Sequence, residues 1–249
     1  MNLSDRIKEF YEDRTKVFLT RRTITIIRLD GKGFSKLTKG LNKPFDDTFS
    51  DDMNATAVYL CENIQGAKFA YTQSDEISVV MTDFDNLESD AWFDYNVQKM
   101  VSISASLATA KFNQLRLFRE PNNPEYKLAC FDARVFQVPS VDEMVNAMIQ
   151  RQQDCTRNSI SMAASANYSH KELNGKTSDE KQEMLFQKGI NWNDYKTKYK
   201  RGNVIKKHQY EVEGPNGEKA LRNKWIPVET PIFTQEKEFL TKLIPIPQN

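Results

Sequence analysis

The chain has only two histidines, His170 and His208. Both stand in polar C-terminal stretches that read as solvent-exposed surface. With so little imidazole, any catalysis has to rest on carboxylates, lysines, arginines and metal. The three cysteines, Cys61, Cys130 and Cys155, are isolated and form no Cys-x-x-Cys pair. That pattern argues against a disulfide framework and against a cysteine-based zinc site. Neither sign of charge dominates: 35 Lys and Arg face 34 Asp and Glu, a net charge of +1. No strongly basic field announces a nucleic-acid-binding protein, so any such contact would need a local patch. No apolar run approaches the ~20 residues of a membrane span. Residues 1–10 are polar and lack the apolar core of a signal peptide. The expectation is a cytoplasmic protein. Repeats and low-complexity segments are also absent. What remains is a chain of 249 residues, 39% hydrophobic and 28% charged, ordinary for a globular protein and long enough for a substantial core.

The most informative stretch is Thr23-Ile24-Thr25-Ile26-Ile27-Arg28-Leu29-Asp30-Gly31-Lys32-Gly33-Phe34. A β-branched strand runs straight into an acid, two glycines and a lysine. Such permissive backbone after a strand marks a sharp turn or a close approach to a ligand. Downstream, Ala67-Lys68-Phe69-Ala70-Tyr71-Thr72 and Ile77-Ser78-Val79-Val80-Met81 flank the polar turn Gln73-Ser74-Asp75-Glu76. If these strands share a sheet, Asp30 and Asp75 converge at one end of it. Two converging carboxylates beside a glycine-rich loop suit a divalent metal and phosphate. Mg²⁺ takes hard oxygen donors, so the Gly31 carbonyl is a further candidate ligand. The amides of Lys32, Gly33 and Phe34 can form a nest for triphosphate oxygens.

Glu76 is treated separately, because successive strand residues point to opposite faces. It is either a catalytic or supporting acid or a solvated partner to a base. Lys43, in Lys43-Pro44-Phe45-Asp46, is either a cation within reach of the site or a plain loop lysine before a helix.

Along the rest of the chain, Ser4 is a candidate cap for a helix from Asp5 to Leu19. Arg14, Lys16, Arg21 and Arg22 then form either a solvated helix end or an anion-facing rim. Residues 46–65 show one apolar face through Met53, Ala57, Leu60, Cys61 and Ile64, and Gly66 ends that helix. Residues 83–90 read as a solvated acidic loop. A second helix runs from Trp92 to Leu115 and a fourth strand from Leu128 to Val138. The order β-α-β-β-α-β predicts an α+β, ferredoxin-like antiparallel sheet with both helices on one face. From Ser140 onward the composition changes. Ser140/Glu143 and Thr177/Glu180 fit capping boxes, and residues 196–208 are basic and aromatic. Residues 213–218 read as a hairpin turn, and the tail after Leu243 reads as frayed. The expected organisation is a catalytic domain over 1–138, followed by a mostly helical region with a hairpin over 139–249.

Taken together, Arg28-Leu29-Asp30-Gly31-Lys32-Gly33-Phe34, Lys43-Pro44, Tyr71-Thr72-Gln73-Ser74-Asp75-Glu76, Phe131-Asp132-Ala133-Arg134-Val135 and Arg151-Gln152-Gln153-Asp154 resemble the tRNA-His guanylyltransferase superfamily. The likeness continues through Glu183-Met184-Leu185-Phe186 and Gly189-Ile190-Asn191-Trp192-Asn193 and so covers almost the whole chain. The resemblance implies a polymerase-palm-like domain using two Mg²⁺ ions, a homotetramer, and tRNA, ATP and GTP or other nucleoside triphosphates as substrates. It also implies 3′-to-5′ addition, in which the 3′-hydroxyl of an incoming nucleotide attacks an activated 5′ end of tRNA. Activation is by adenylylation of a 5′-monophosphate with ATP, or by a triphosphate already present. Carried over by position, Asp30, the Gly31 carbonyl and Asp75 would bind Mg²⁺, and Asp30 to Ser35 with Ser74 would bind nucleotide. Lys43, Arg134 and Asn158 would lie near phosphates or RNA. Within the basic segment, Lys198, Lys200 and Arg201 are further candidates for RNA phosphate contacts. Where the eukaryotic enzymes carry His-Ile-Asn-Asn, this chain reads Thr156-Arg157-Asn158-Ser159. That is the pattern of the bacterial and archaeal guanylyltransferase-like branch, which implies template-dependent 5′-end repair rather than fixed G addition to tRNA-His. Palm-type nucleotide cyclases also use two strand-end acids. A ferredoxin-like RNA-binding module would need aromatic side chains on its sheet face, where the first strand offers aliphatics.

Overall fold

The computed structural model describes residues 1–121, 127–213 and 218–246. Its centre is a six-stranded sheet in the order β4-β1-β3-β2-β5-β6. The strands are β1 (Ile24–Gly31), β2 (Ala67–Gln73), β3 (Glu76–Met81), β4 (Phe131–Val138), β5 (Asn203–Glu213) and β6 (Lys219–Glu229). Every neighbouring pair is antiparallel. β1 and β3 are neighbours, as the sequence order predicted.

Strand alternation sends two different sets of side chains into two cores. Ile27 and Leu29 of β1 join Ile77, Val79 and Met81 of β3 in one core. That core is roofed by α3 (Asp47–Asn63) and α4 (Val97–Arg119), which supply Met53, Leu60, Met100 and Phe112. Ile24, Ile26 and Val80 point the other way, toward Met144, Val145 and Met148 of α5 (Val141–Ser165) and toward Phe233 and Leu240 near the C-terminal end. Fully burying each such aliphatic side chain contributes roughly 1.5–3 kcal/mol, and the β-branched run at residues 24–27 serves both faces at once. The sheet does not stop at residue 138, because β5 pairs with β2 and carries β6 outward.

Several local expectations shift. β4 begins at Phe131 rather than Leu128, because the preceding backbone bonds elsewhere: the Ala129 amide donates to Asn113 Oδ1 at 2.8 Å. The first helical segment is capped by Asn2 rather than Ser4 and ends at Thr15 after one wide π-type turn at Lys8–Glu12. The helix expected from Trp92 starts at Val97, with Asn96 as its cap. Before it, Phe93, Asp94 and Tyr95 make a left-handed turn with φ of 51°, 52° and 58°. Arg21 binds Asp94 at 2.6 Å and the Tyr95 hydroxyl binds Asp83 at 3.1 Å, which holds that turn in place. Asp83 is therefore not part of a solvated loop; it is buried and accepts from the Arg22 amide at 2.8 Å. Thr177 and Glu180 do form a reciprocal capping box, at the start of α7 (Ser178–Gln187), while at Ser140 only the side-chain cap to the Glu143 amide is present. α1 (Leu3–Ile7), α2 (Phe34–Leu37), α6 (His170–Leu173), α8 (Thr197–Arg201) and α9 (Glu238–Thr241) complete the α-helices of the described residues. The turn expected at 213–218 lies largely outside them.

Candidate active site

Asp30 is the penultimate residue of β1, and Asp75 sits in the two-residue turn that joins β2 to β3. The Gly31 amide donates to the Asp75 carbonyl at 3.1 Å, which ties the turn to the end of β1. Asp30 pairs in register with Glu76 on one side and Asp132 on the other. Directly opposed residues of antiparallel strands share a face, so three acids stand in a row across β3, β1 and β4. Two residues further along, Arg28 and Arg134 are opposed on the same face.

The loop after Asp30 is shaped by Phe34, whose buried ring packs against Phe131 at 5.0 Å and Phe112 at 5.3 Å between centroids. A Cβ on Gly31 would lie 2.5 Å from the Phe34 ring, so only glycine fits there. Gly33, at φ +70°, turns the chain into α2. The Lys32 amide donates to the Cys130 carbonyl at 2.8 Å, which takes it out of the expected anion nest. The Phe34 side chain belongs to the core, so any nucleotide contact at this residue has to come from its backbone.

A cavity of about 370 Å³ opens beside this loop and gathers Ser35, Lys43, Ser74 and Asp75 among its walls. A smaller one of about 60 Å³ shares Ser74 and adds Asn158 and Lys198. Phe45 roofs that region, stacked on Tyr199 at 4.5 Å. Six of the expected positions thus meet at one sheet end: Asp30, Gly31, Ser35, Lys43, Ser74 and Asp75, with Asn158 next door. The basic segment does not present a row of free cations. Lys198 binds Asp47 at 2.7 Å and Asp51 at 3.0 Å. Lys200 donates to the Asn193 carbonyl and lies over the Trp192 ring, 5.6 Å from its centroid. At Arg201 only the backbone is fixed, its carbonyl accepting from the Tyr71 hydroxyl at 2.7 Å. Arg134 is exposed, 3.5 Å from Asp132.

Glu76 is a partner to bases, but not a solvated one, because only 8% of it is exposed. Arg151 of α5 donates to Glu76 Oε2 at 2.9 Å, and Arg28 Nε stands 3.8 Å from Oε1. Asp154 in turn grips Arg151. Arg28, Arg151 and Asp132 were given no roles from the sequence. Strand alternation is the signal that could have found Arg28, two residues before Asp30 on the same face. Nothing local pointed to Arg151, which arrives from 75 residues away.

Burial raises the pKa of Asp30, and the neighbouring Asp132 carboxylate adds to the effect. Asp75 is likewise raised, chiefly by burial and further by Asp30. Among the described residues neither carboxylate has an ion-pair partner, and none forms a compact cluster of three or more His, Cys, Asp or Glu groups of the kind that encloses a metal alone. Two half-buried carboxylates without a direct ion pair, with an adjacent backbone carbonyl, are hard oxygen donors of the kind that fit a Mg²⁺ ion.

The family model for tRNAHis guanylyltransferase matches residues 4–139. The tRNA(His) guanylyltransferase of Schizosaccharomyces pombe is 33% identical over 202 residues, covering 75% of this chain and 74% of that protein. Among solved structures, a bacterial tRNA(His) guanylyltransferase-like protein in complex with ATP superposes with a TM-score of 0.87 at 41% identity, covering 97% of this chain and 98% of that one. A bacterial protein of the same description in complex with GTP gives a TM-score of 0.81, also at 41% identity and with the same coverage. The enzyme from Saccharomyces cerevisiae shares the fold, with a TM-score of 0.67 at 24% identity over 86% of this chain and 96% of that one.

Proposed function

The chain belongs to the tRNAHis guanylyltransferase family of nucleotidyltransferases, and from that premise we propose that it adds nucleotides in the 3′-to-5′ direction to the 5′ end of tRNA, as a template-dependent repair enzyme. The observation that carries this reading is the meeting of Asp30 and Asp75 at one sheet end, beside a cavity walled by Ser35, Lys43 and Ser74. The β4-β1-β3-β2 core, with α3 and α4 on one face, supports a palm-like, ferredoxin-like catalytic unit. Residues 139–249 would then serve tRNA and subunit contacts, in a homotetramer.

Asp30, the Gly31 carbonyl and Asp75 hold two Mg²⁺ in this proposal, which would supply activation of the attacking hydroxyl and charge stabilisation at the leaving oxygen. Lys43, Ser74 and Asn158 bind the phosphates of the nucleoside triphosphate, whose complexes with related bacterial proteins involve ATP and GTP. In the activation step a 5′-phosphate oxygen of the tRNA attacks the α-phosphorus of ATP, and pyrophosphate leaves. In the transfer step the 3′-hydroxyl of the incoming nucleotide attacks the 5′ phosphorus, and AMP leaves; a 5′-triphosphate end loses pyrophosphate instead. Arg134 lies beside the acid row on β4, where it can meet the RNA phosphate.

The segment Thr156-Arg157-Asn158-Ser159 lacks the histidine of the eukaryotic pattern. Nucleotide choice then falls to pairing with the opposite 3′ strand of the acceptor stem, and the protein needs to recognise only helix shape and phosphate. The test is incubation with 5′-truncated tRNAs, Mg²⁺, ATP and labelled nucleotides while the 3′-strand base opposite the gap is varied. Incorporation should follow that base. Entry of G regardless of it, and only on tRNA-His, would replace repair with strict guanylylation. A soluble cyclic product would mark a cyclase.

A further inference from the structure

The chain between α2 and α3, residues 38–46, is neither helix nor strand, and residues 39–43 are exposed. Its own bonds are few: Asp46 caps α3 through the Phe49 amide at 2.8 Å and accepts from the Asn42 amide at 3.2 Å. Yet this loop brings Lys43 into the wall of the larger cavity, across from Ser74 and Asp75. Ordering a loop on binding costs conformational entropy, so ligand affinity depends on what already holds the loop in place.

What holds it comes from about 150 residues away. The Phe45 ring is stacked on Tyr199, 4.5 Å between centroids and 9° from parallel, and the Tyr195 ring meets its edge at 5.1 Å. Beside it, Asp47 accepts from the Tyr199 hydroxyl at 2.6 Å and pairs with Lys196 and Lys198, each at 2.7 Å. The Asp47 carboxylate is half exposed, so these ion pairs are of small worth. The aromatic stack carries the grip, and Asp47 orients it.

α8, which carries Tyr199, is itself tied to the catalytic end of the sheet. The Tyr71 hydroxyl donates to the Arg201 carbonyl at 2.7 Å, and the Thr156 hydroxyl to the Lys200 carbonyl at 3.1 Å. The Cys155 thiol lies 3.6 Å from the Tyr199 carbonyl. These are the last carbonyls of a helix, which have no partners inside it; here β2 and α5 supply them. Gly202, at φ +70°, lies so close to β2 that a Cβ would stand 2.3 Å from the Thr72 carbonyl oxygen, three residues before Asp75. A short helix fixed at one end to the strand that leads to Asp75 thus grips, through one tyrosine, the loop that carries Lys43.

We propose that Tyr199 is a positioning residue for the nucleotide site: through Phe45 and Asp47 it sets the Lys43 loop at its working distance from Ser74 and Asp75. This rests on the reading of the cavity as the nucleotide site. The test is isothermal titration of the full-length protein with ATP and Mg²⁺, without tRNA. Tyr199→Ala and Phe45→Ala should each weaken ATP binding by roughly three- to tenfold, the worth of an aromatic pair, at an unchanged number of sites per chain. The double variant should bind within about twofold of either single one, because both remove the same contact. Tyr199→Phe keeps the stack and should stay within about threefold of wild type. Phe45 is half-buried in a loop, so Phe45→Ala decides the matter if Tyr199→Ala does not fold. Wild-type affinity in the folded single variants overturns the proposal, as do additive losses in the double variant. Fewer sites at unchanged affinity would show a merely structural contact and overturn it too. A wild type that binds no ATP would remove the nucleotide reading of the cavity and this inference with it, whereas a binding wild type with unaffected variants removes this inference alone.

Discussion

Removing the carboxylate of Glu76 tests the interpretation of the site most directly. Its partners Arg28 and Arg151 have side chains only 16% and 13% exposed, so Glu76→Ala leaves two half-desolvated guanidiniums facing each other. Deleting one member of a buried pair costs about 3–5 kcal/mol. The lower end applies here, since Arg151 keeps Asp154 and Arg28 keeps its contact over the Phe136 ring. The expectation is a loss of about 3 kcal/mol, or about 6–12 °C in Tm for a chain of this size. Glu76→Gln retains an acceptor for Arg151 and forfeits only the charge assistance, about 1–2 kcal/mol. Urea unfolding measures both, with the m-value unchanged if the native state is otherwise intact. At temperatures where both variants are folded, nucleotide addition should persist in Glu76→Gln, with the wild-type Mg²⁺ dependence. A folded Glu76→Gln that has lost Mg²⁺ affinity would show that this carboxylate reaches the metal. A Glu76→Ala protein within about 0.5 kcal/mol of wild type would remove the arginine pair from the stability argument.

The other expectations follow from the same geometry. Asp30→Asn and Asp75→Asn should each abolish nucleotide addition, with circular dichroism unchanged; near wild-type turnover in a folded variant would refute the two-metal assignment. Both acids have folded pKa values raised by burial, so the metal-free native state binds more protons than the unfolded chain just above the ordinary carboxylate range. Their contribution to stability is therefore lost as pH rises through the folded pKa. In EDTA, wild type should lose stability relative to Asp30→Asn between mildly acidic and neutral pH, and added Mg²⁺ should reverse the trend at neutral pH. Gly31→Ala should cost about 1–3 kcal/mol by forcing the Phe34 ring aside and weaken nucleotide binding by isothermal titration. Gly33→Ala meets no neighbouring atom and should cost only the left-handed backbone penalty of about 1–2 kcal/mol. Replacing Lys200 and Arg201 by Ser should lower tRNA affinity and flatten its salt dependence. Lys198→Ser should instead free Asp51, leave Asp47 with Lys196 at 2.7 Å and the Tyr199 hydroxyl at 2.6 Å, and disturb the wall beneath Phe45, seen as weaker nucleotide binding at unchanged salt slope.

The sequence by itself determined whatever is written in local periodicity. The β-branched alternation at residues 24–27 marked a strand. An acid followed by Gly-Lys-Gly marked a sharp turn or a close approach to a ligand, and the β-α-β-β-α-β order placed β1 beside β3, so that Asp30 and Asp75 met. The same logic failed wherever a distant group supplied the bonding. β4 starts late because Asn113 claims the backbone before it. Asp83 is buried because Arg22 and Tyr95 reach it from other elements. Helix α4 starts late behind three left-handed residues held by side chains of Arg21 and Asp83, which no propensity foretells. Glu76 was ambiguous for the same reason. Alternation turned it to the α5 face, but whether that face met water or an arginine depended on how a helix 75 residues away crossed the sheet. The fate of Lys198 was likewise decided by α3, which brings Asp47 and Asp51 under it. Backbone form follows from neighbours in sequence, whereas the charge state and partners of a side chain follow from neighbours in space, and only the packing of the helices on the sheet fixes those.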